Sequence, residues 1–218
     1  IAFLTNGTRK RNPSFNPAGR AAVLAGTLTN GSGYVQSGSL GSCVGECILE
    51  NNRFLNLTNG VYFDTWRHKD LVIRNNTFSN VEHGIFFNFY GTVDRFFERV
   101  RIEQNVFELV PMTAIRDDFN GCCANGAFIA SSGRLSEPFA YDNITFSDNT
   151  IRFYNAPATT PADTVGVSVS SVHNLTVLRN QFALSTSQQL VYSGIGEPLR
   201  LDVRLNTNSV GTALVLRV

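Results

Sequence analysis

The chain has 218 residues and a mass of 24.0 kDa, which is enough for one domain with a sizeable core. Its formal net charge is +1, from 18 basic and 17 acidic residues, so it has no overall field that would attract nucleic acid or an anionic membrane surface. No stretch approaches the roughly 20 apolar residues of a membrane-spanning helix, and we expect no nucleic-acid partner and no membrane span.

Residues 1–46 lack the regular pattern of the rest of the chain. Pro13 and Pro17 are followed by a segment, Ala18 to Gly45, that consists mostly of small residues. The end of a repeat array needs a cap because it exposes apolar surface and unpaired backbone groups. We therefore predict an N-terminal cap or eroded first coil over residues 1–46 and a repeat domain over residues 47–218. A linker from a preceding domain is the alternative for the first segment.

A short motif recurs from Cys47 onward: an alternating apolar strand, a polar bend that contains Asn, and then Phe or another apolar residue. The clearest copy is Leu-Val-Ile-Arg-Asn-Asn-Thr-Phe at Leu71 to Phe78. The marker asparagines of the six copies are Asn52, Asn76, Asn105, Asn149, Asn180 and Asn208. A fixed motif with variable spacing between its copies is typical of a solenoid whose insertions lie in loops.

A second short strand follows each marker, as at Gly60 to Phe63 and Gly84 to Phe87. The longest insertion, Arg116 to Tyr141, is expected after the second strand of the third repeat, Ala114-Ile115. Asn tolerates left-handed backbone angles, and stacked amides can pair with one another. We predict that the six marker asparagines point inward at a bend and form a ladder.

The motif Asn-x-Phe after an alternating strand resembles the right-handed parallel β-helix of the pectin-lyase-like superfamily, over residues 47 to 218. The resemblance implies an all-β solenoid of about six to seven coils. The chain does not begin with Met, and its only Met is Met112, so we expect a processed product or an internal piece of a larger protein.

Cysteines and glycosylation motifs favour an extracellular or cell-surface location. The four cysteines, Cys43, Cys47, Cys122 and Cys123, allow three connectivities, and we expect at least one disulfide that ties the Cys122-Cys123 loop to Cys43 or Cys47. Neither pair has zinc-type spacing, and the three histidines are too scattered for a metal triad, so we expect turn or surface histidines and no metal. The six Asn-x-Ser/Thr motifs begin at Asn6, Asn30, Asn56, Asn75, Asn143 and Asn174.

A candidate groove follows if the second strands stack on Val61, Ile85, Ile115, Val165 and Val191. Asp64 and Asp118 would then share one outward column two coils apart, separated by roughly 9 to 10 Å, at the upper edge for an inverting glycosidase pair. We predict these two as tentative catalytic carboxylates. The predicted substrate-binding residues are Tyr62, Trp66, Phe86, Tyr90, Arg116 and Asp117.

Three functions remain open. Polygalacturonase-like hydrolases carry Asn-Thr-Asp, Asp-Asp, Gly-His-Gly and Arg-x-Lys in that order, and only Asp117-Asp118 matches here. We therefore expect first an extracellular module of a larger protein, acting as a rigid structural or carbohydrate-contacting scaffold, with a polysaccharide or glycan and neighbouring coils as partners. The alternatives are a polysaccharide hydrolase or lyase, and a tailspike or adhesin-type coil. We expect no cofactor, apart from calcium if the chain is a lyase.

Overall fold

The structure is a computed structural model that describes residues 27–28, 35–36, 47–64, 68–89, 97–110, 125–132, 141–154, 164–169, 172–183, 190–192, 200–208 and 216–217. All regular secondary structure in these ranges is β-strand. The strands are β1 (Thr27–Leu28), β2 (Val35–Gln36), β3 (Cys47–Glu50), β4 (Arg53–Asp64), β5 (His68–Lys69), β6 (Leu71–Arg74), β7 (Thr77–Phe89), β8 (Phe97–Glu103), β9 (Val106–Leu109), β10 (Asn125–Ser132), β11 (Tyr141–Ser147), β12 (Thr150–Phe153), β13 (Thr164–Val169), β14 (Asn174–Leu178), β15 (Gln181–Ala183), β16 (Leu190–Tyr192), β17 (Arg200–Arg204), β18 (Thr207–Asn208) and β19 (Leu216–Arg217).

These strands form two parallel sheets. One has seven strands in the order β17-β14-β11-β8-β6-β3, with β5 beside β8, and the other has twelve, including β4, β7, β9 and β10. The chain passes alternately between the sheets, as in β6, β7 and β8. Each strand pairs with its equivalent in the next repeat, for example β6 with β8 and β8 with β11. The all-β part of the fold prediction and its parallel pairing are confirmed.

The marker asparagines of successive repeats are joined by hydrogen bonds. The backbone N–H and the side-chain Nδ2 of each donate to Oδ1 of the next, at 3.0 and 3.1 Å from Asn52 to Asn76 and at 2.9 and 3.0 Å from Asn76 to Asn105. The same pattern continues through Asn149 and Asn180. These amides span the repeats as one buried row, which we call the asparagine ladder.

The last member of the asparagine ladder is Asn206, and the assignment of Asn208 was wrong. Asn180 donates from N and Nδ2 to Oδ1 of Asn206, at 2.8 and 2.9 Å, whereas Asn208 pairs with Phe182. Val203 pairs with Val177 in the strand before the bend, and this pairing sets the register. The last repeat has no Phe after its bend. Aligning the repeats by sequence therefore selected Asn208, two residues after the Asn that belongs to the ladder.

The bend takes its shape from the residue before each marker. The residues with positive φ at this position, between 53° and 59°, are Asn51, Asn75, Gln104, Asp148, Arg179 and Leu205. The left-handed conformation is therefore not at the marker, as the sequence suggested, but one residue earlier. The marker amide is free to bond along the asparagine ladder because its own backbone does not make that turn.

The core lies between the sheets and is built from stacked equivalents. The rings of Phe54, Phe78 and Phe107 stack with centroids 4.7 and 4.8 Å apart and interplanar angles of 7° and 9°. Tyr141 is fully buried and its hydroxyl donates to the backbone oxygen of Phe87 at 3.1 Å. Identical rings stack because parallel in-register strands place equivalent side chains about 4.8 Å apart.

Candidate functional site

The strand pairing that was used to predict the separation of Asp64 and Asp118 differs from the pairing in the structure. Phe128 of β10, rather than Ile115, pairs with Ile85, and Ser131 pairs with Asn88, the neighbour of Asp64. The insertion therefore precedes the second strand of the third repeat instead of following it. The sequence analysis placed the insertion wrongly because it assumed that the same number of residues separates the marker Asn from the second strand in every repeat. The stacked set is Val61, Ile85, Phe128, Val167 and Leu190.

The other predicted groove residues are placed as follows. Tyr62 and Asp64 belong to β4, where their backbones pair with Phe86 and Asn88. The residues outside the described ranges are Trp66, Tyr90, Arg116, Asp117 and Asp118. Their roles, and that of Asp64, stay predictions.

Phe86 was predicted as an exposed stacking surface, and this was wrong. Its exposed fraction is 1%, its neighbour Ile129 on β10 is also buried, and its ring stacks on His83 with centroids 5.7 Å apart. Glu82 and His83 are buried in the same strand, β7, where sequence reasoning expected a surface histidine. The signal that could have located them is their position between Val81 and Ile85 in one strand.

A different concavity lies on the seven-stranded sheet, which we call the sheet groove. It has a volume of about 570 Å³ and its lining includes Asp70, Val72, Arg99, Arg101, Asn143 and Thr145. Asp70 directly precedes β6, and the other lining residues lie in β6, β8 and β11, where Arg101 pairs with both Val72 and Thr145. Asp70, Arg99 and Asn143 have positive φ values of 58°, 56° and 52°, so the same left-handed residue recurs two residues before Val72, Arg101 and Thr145. Sequence reasoning missed the sheet groove because it followed the second strands of the repeats.

Arg99 is fully engaged at one side of the sheet groove. Its Nε and Nη2 donate to the two carboxylate oxygens of Asp70 at 2.6 and 2.9 Å, and its Nη1 donates to Glu98 at 2.6 Å. Lys69 also pairs with Glu98, at 2.7 Å. The hydrogen bonds from Arg99 hold the pKa of Asp70 below its usual range, and the hydrogen bond from Lys69 lowers the pKa of Glu98. These four charges neutralise one another.

Arg101 differs from Arg99 in its contacts. Its side chain is 52% exposed, and its nearest carboxylate oxygen, on Glu103, is 3.9 Å away, beyond hydrogen-bond distance. The side chains on either side of it in the sheet belong to Val72, which is buried, and Thr145, which is half-buried. The sheet groove thus presents a guanidinium with available donors beside a half-buried hydroxyl group.

A polar cluster adjoins this region at the start of β11 and β14. The carboxylate of Asp142 is buried, lies 3.2 Å from Nδ1 of His173, and accepts a hydrogen bond from Nδ2 of Asn174 at 2.8 Å. Asn174 begins one of the predicted glycosylation motifs, and its amide is engaged in this cluster. Three other motif asparagines, Asn56, Asn75 and Asn143, are exposed. Asn6 and Asn30 lie outside the described residues.

The cysteine predictions fall mostly outside the described part of the chain. Cys47 lies in β3, where its backbone pairs with Leu71, and its side chain is not described. Cys43, Cys122 and Cys123 lie outside the described ranges, so the disulfide stays a prediction. Within the described ranges, no three side chains of His, Cys, Asp or Glu come together as metal ligands.

The described segments contain no helix with the length and apolarity to cross a membrane. Comparison of the chain with protein-family models, with curated proteins and with solved structures gave no significant match.

Proposed function

We propose that the chain is an extracellular module of a larger protein, folded as a right-handed parallel β-helix of the pectin-lyase-like type. It serves as a rigid scaffold that contacts carbohydrate through the sheet groove. The alternation of the chain between two parallel sheets and the in-register asparagine ladder support the β-helix.

Rigidity is supported by bonds that join successive repeats. The asparagine ladder and the stacked phenylalanines connect them inside, and ion pairs connect them outside, as in Glu50 with Arg74 at 2.7 Å and Asp148 with Arg179 at 2.7 Å. Such exposed pairs add little energy singly, but each one links equivalent positions of neighbouring repeats. A rod of this kind resists bending because every repeat is held by its core, its ladder amide and its backbone pairing.

The observation that carries the carbohydrate contact is the composition of the sheet groove. Arg101 offers guanidinium donors, Asn143 an exposed amide and Thr145 a half-buried hydroxyl. Sugars present dense hydroxyl groups, and a groove with these donors and acceptors can bond with several of them at once. The shallow, strand-crossing shape fits a polymer segment better than a compact small molecule.

The test is binding of the purified chain to a panel of immobilised acidic and neutral polysaccharides. Asn143→Gly removes the amide while keeping a residue that accepts the left-handed backbone, and Thr145→Val removes only the hydroxyl. Both variants should weaken binding, whereas Thr176→Val, which removes the equivalent hydroxyl one strand further along the same sheet, should not. Unchanged binding in both groove variants would refute this contact surface.

The same panel tests the enzymatic alternative. Reducing ends and unsaturated products are measured in parallel, with Asp118→Asn as the variant. Product release that disappears in Asp118→Asn would replace the scaffold proposal with a hydrolase or lyase acting near Asp64.

The extracellular location has its own test. The exposed positions of Asn56 and Asn75 support it, because a glycosylation acceptor must reach the surface. Asn143 is not included, because a glycan on its amide would occupy the sheet groove. Mass spectrometry of chain secreted from a eukaryotic host should show glycans at Asn56 and Asn75 and fewer than four free thiols. Four free thiols and unmodified sequons would argue against secretion.

A further inference from the structure

We infer that Arg101 anchors an oxyanion substituent, a carboxylate or a sulfate, on the polymer that occupies the sheet groove. This inference rests on the proposed carbohydrate contact and adds the chemical class of the ligand. It concerns a residue of the seven-stranded sheet, away from the groove that sequence reasoning predicted on the second strands.

The charge balance of the sheet groove supports this assignment. Asp70 is the carboxylate among the described residues of the lining, and Arg99 neutralises it through two hydrogen bonds. Among the described residues, no carboxylate oxygen lies within hydrogen-bond distance of Arg101, and that of Glu103 is 3.9 Å away. Because Asp70 and Arg99 neutralise each other, the net charge of these three lining residues is the positive charge of Arg101. A guanidinium binds carboxylates and sulfates through two parallel hydrogen bonds, so an anionic group is its best complement.

The neighbours of Arg101 indicate an anion carried on a sugar rather than a free ion. Val72 and Thr145 flank it on adjacent strands, about 4.8 Å to either side. A free ion would use only the guanidinium. A substituted sugar ring would also bond with the hydroxyl of Thr145 and the amide of Asn143.

The experiment compares polymer pairs that differ only in charge. Hyaluronan is matched with carboxyl-reduced hyaluronan, and dextran sulfate with dextran, and each dissociation constant is measured at low and high salt. Wild type should bind at least one charged polymer roughly tenfold or more tightly than its neutral partner, the scale of one charge-assisted hydrogen bond. A preference for the first pair identifies a carboxylate, and one for the second pair a sulfate.

The variants separate a specific anchor from a general charge effect. Arg101→Gln should abolish the preference, and Arg101→Lys should restore only part of it because an ammonium lacks the planar fork. The matched control is Arg53→Gln, which removes one positive charge from an exposed side chain on the twelve-stranded sheet. It should keep the preference.

The outcomes test the role of Arg101 separately from the proposed carbohydrate contact. Equal binding of charged and neutral forms by wild type, or a preference that survives Arg101→Gln, overturns the role of Arg101 and leaves the carbohydrate contact standing. Failure to bind any polymer of a broad panel overturns both. Matching urea-unfolding midpoints for all variants show that each one folds.

Discussion

Oδ1 of Asn105 accepts two hydrogen bonds from Asn76, one from its backbone N–H at 2.9 Å and one from its Nδ2 at 3.0 Å. Nδ2 of Asn105 donates in turn to Oδ1 of Asn149 at 3.1 Å and to the backbone oxygen of Ile73 at 2.9 Å. Both polar ends of a fully buried amide are therefore satisfied. The asparagine ladder can pass through the protein interior because each amide supplies the donors that the next one accepts.

Removal of one interior amide should cost more than removal of the last. We expect Asn105→Ala to lower the free energy of unfolding by about 3 kcal/mol, because several buried backbone groups each lose a partner at about 1–3 kcal/mol. Asn206→Ala should cost less, since Asn206 is half-buried at the end of the ladder. Urea denaturation measures both. Equal losses for the two variants would contradict a role for burial.

Gly84 should not tolerate a side chain. A Cβ at this position would lie 2.6 Å from the backbone oxygen of Ala127 and would also overlap the ring of Phe107. Gly84→Ala should lower the free energy of unfolding by about 3 kcal/mol, the upper range for overpacking. Gly126→Ala is the control, because its Cβ would lie 3.1 Å or more from its neighbours. A thermal melt in which the two variants behave alike would refute the prediction.

The phenylalanine stack should be a major source of stability. Phe78 is fully buried between Phe54 and Phe107, and Phe78→Ala should cost about 3–5 kcal/mol through lost burial and a cavity. Tyr154 is 40% exposed, so Tyr154→Ala should cost much less. Guanidinium denaturation measures the loss in unfolding free energy for both variants. A smaller loss for Phe78→Ala than for Tyr154→Ala would show that the ring stack is not part of the stable core.

The Asp148 and Arg179 pair should contribute weakly and only above acid pH. The hydrogen bond from Arg179 holds the pKa of Asp148 below its usual value of about 3.9. A carboxylate with a lowered pKa stabilises the fold above its unfolded-state pKa, and this contribution is lost as the pH falls through the folded-state pKa. Asp148→Asn should therefore lower Tm at pH 7 by at most about 3 °C, because the pair is exposed, and the loss should become smaller as the pH falls toward 2.

Two checks accompany that prediction. Arg179→Gln should produce the same loss at pH 7, and the double variant should lose no more than either single variant, because both remove one interaction. The loss should shrink in 1 M salt. A loss that is equal at pH 7 and pH 2 would show that something other than this ion pair is responsible.

Register was predictable wherever the motif was complete. Leu71 to Phe78 carries alternation, a bend and a Phe, and its neighbours in the structure are the copies that the sequence identified, with Phe78 between Phe54 and Phe107. The prediction failed at Asn208 and at Ile115. In those repeats the bend lacks its Phe or the connector is long, so local pattern could not tell which residue faces the core.

The sequence by itself determined the parallel all-β class and the repeat, because apolar alternation and a recurring bend are local properties that each segment carries alone. Only the tertiary structure decided which outward residues meet. Phe86 became buried beside Ile129, and Arg101 came to lie between Val72 and Thr145, because strands 24 to 44 residues apart along the ladder pack side by side. Side-chain neighbours across a parallel sheet depend on register and on connector length, and neither is encoded in the spacing of any single repeat.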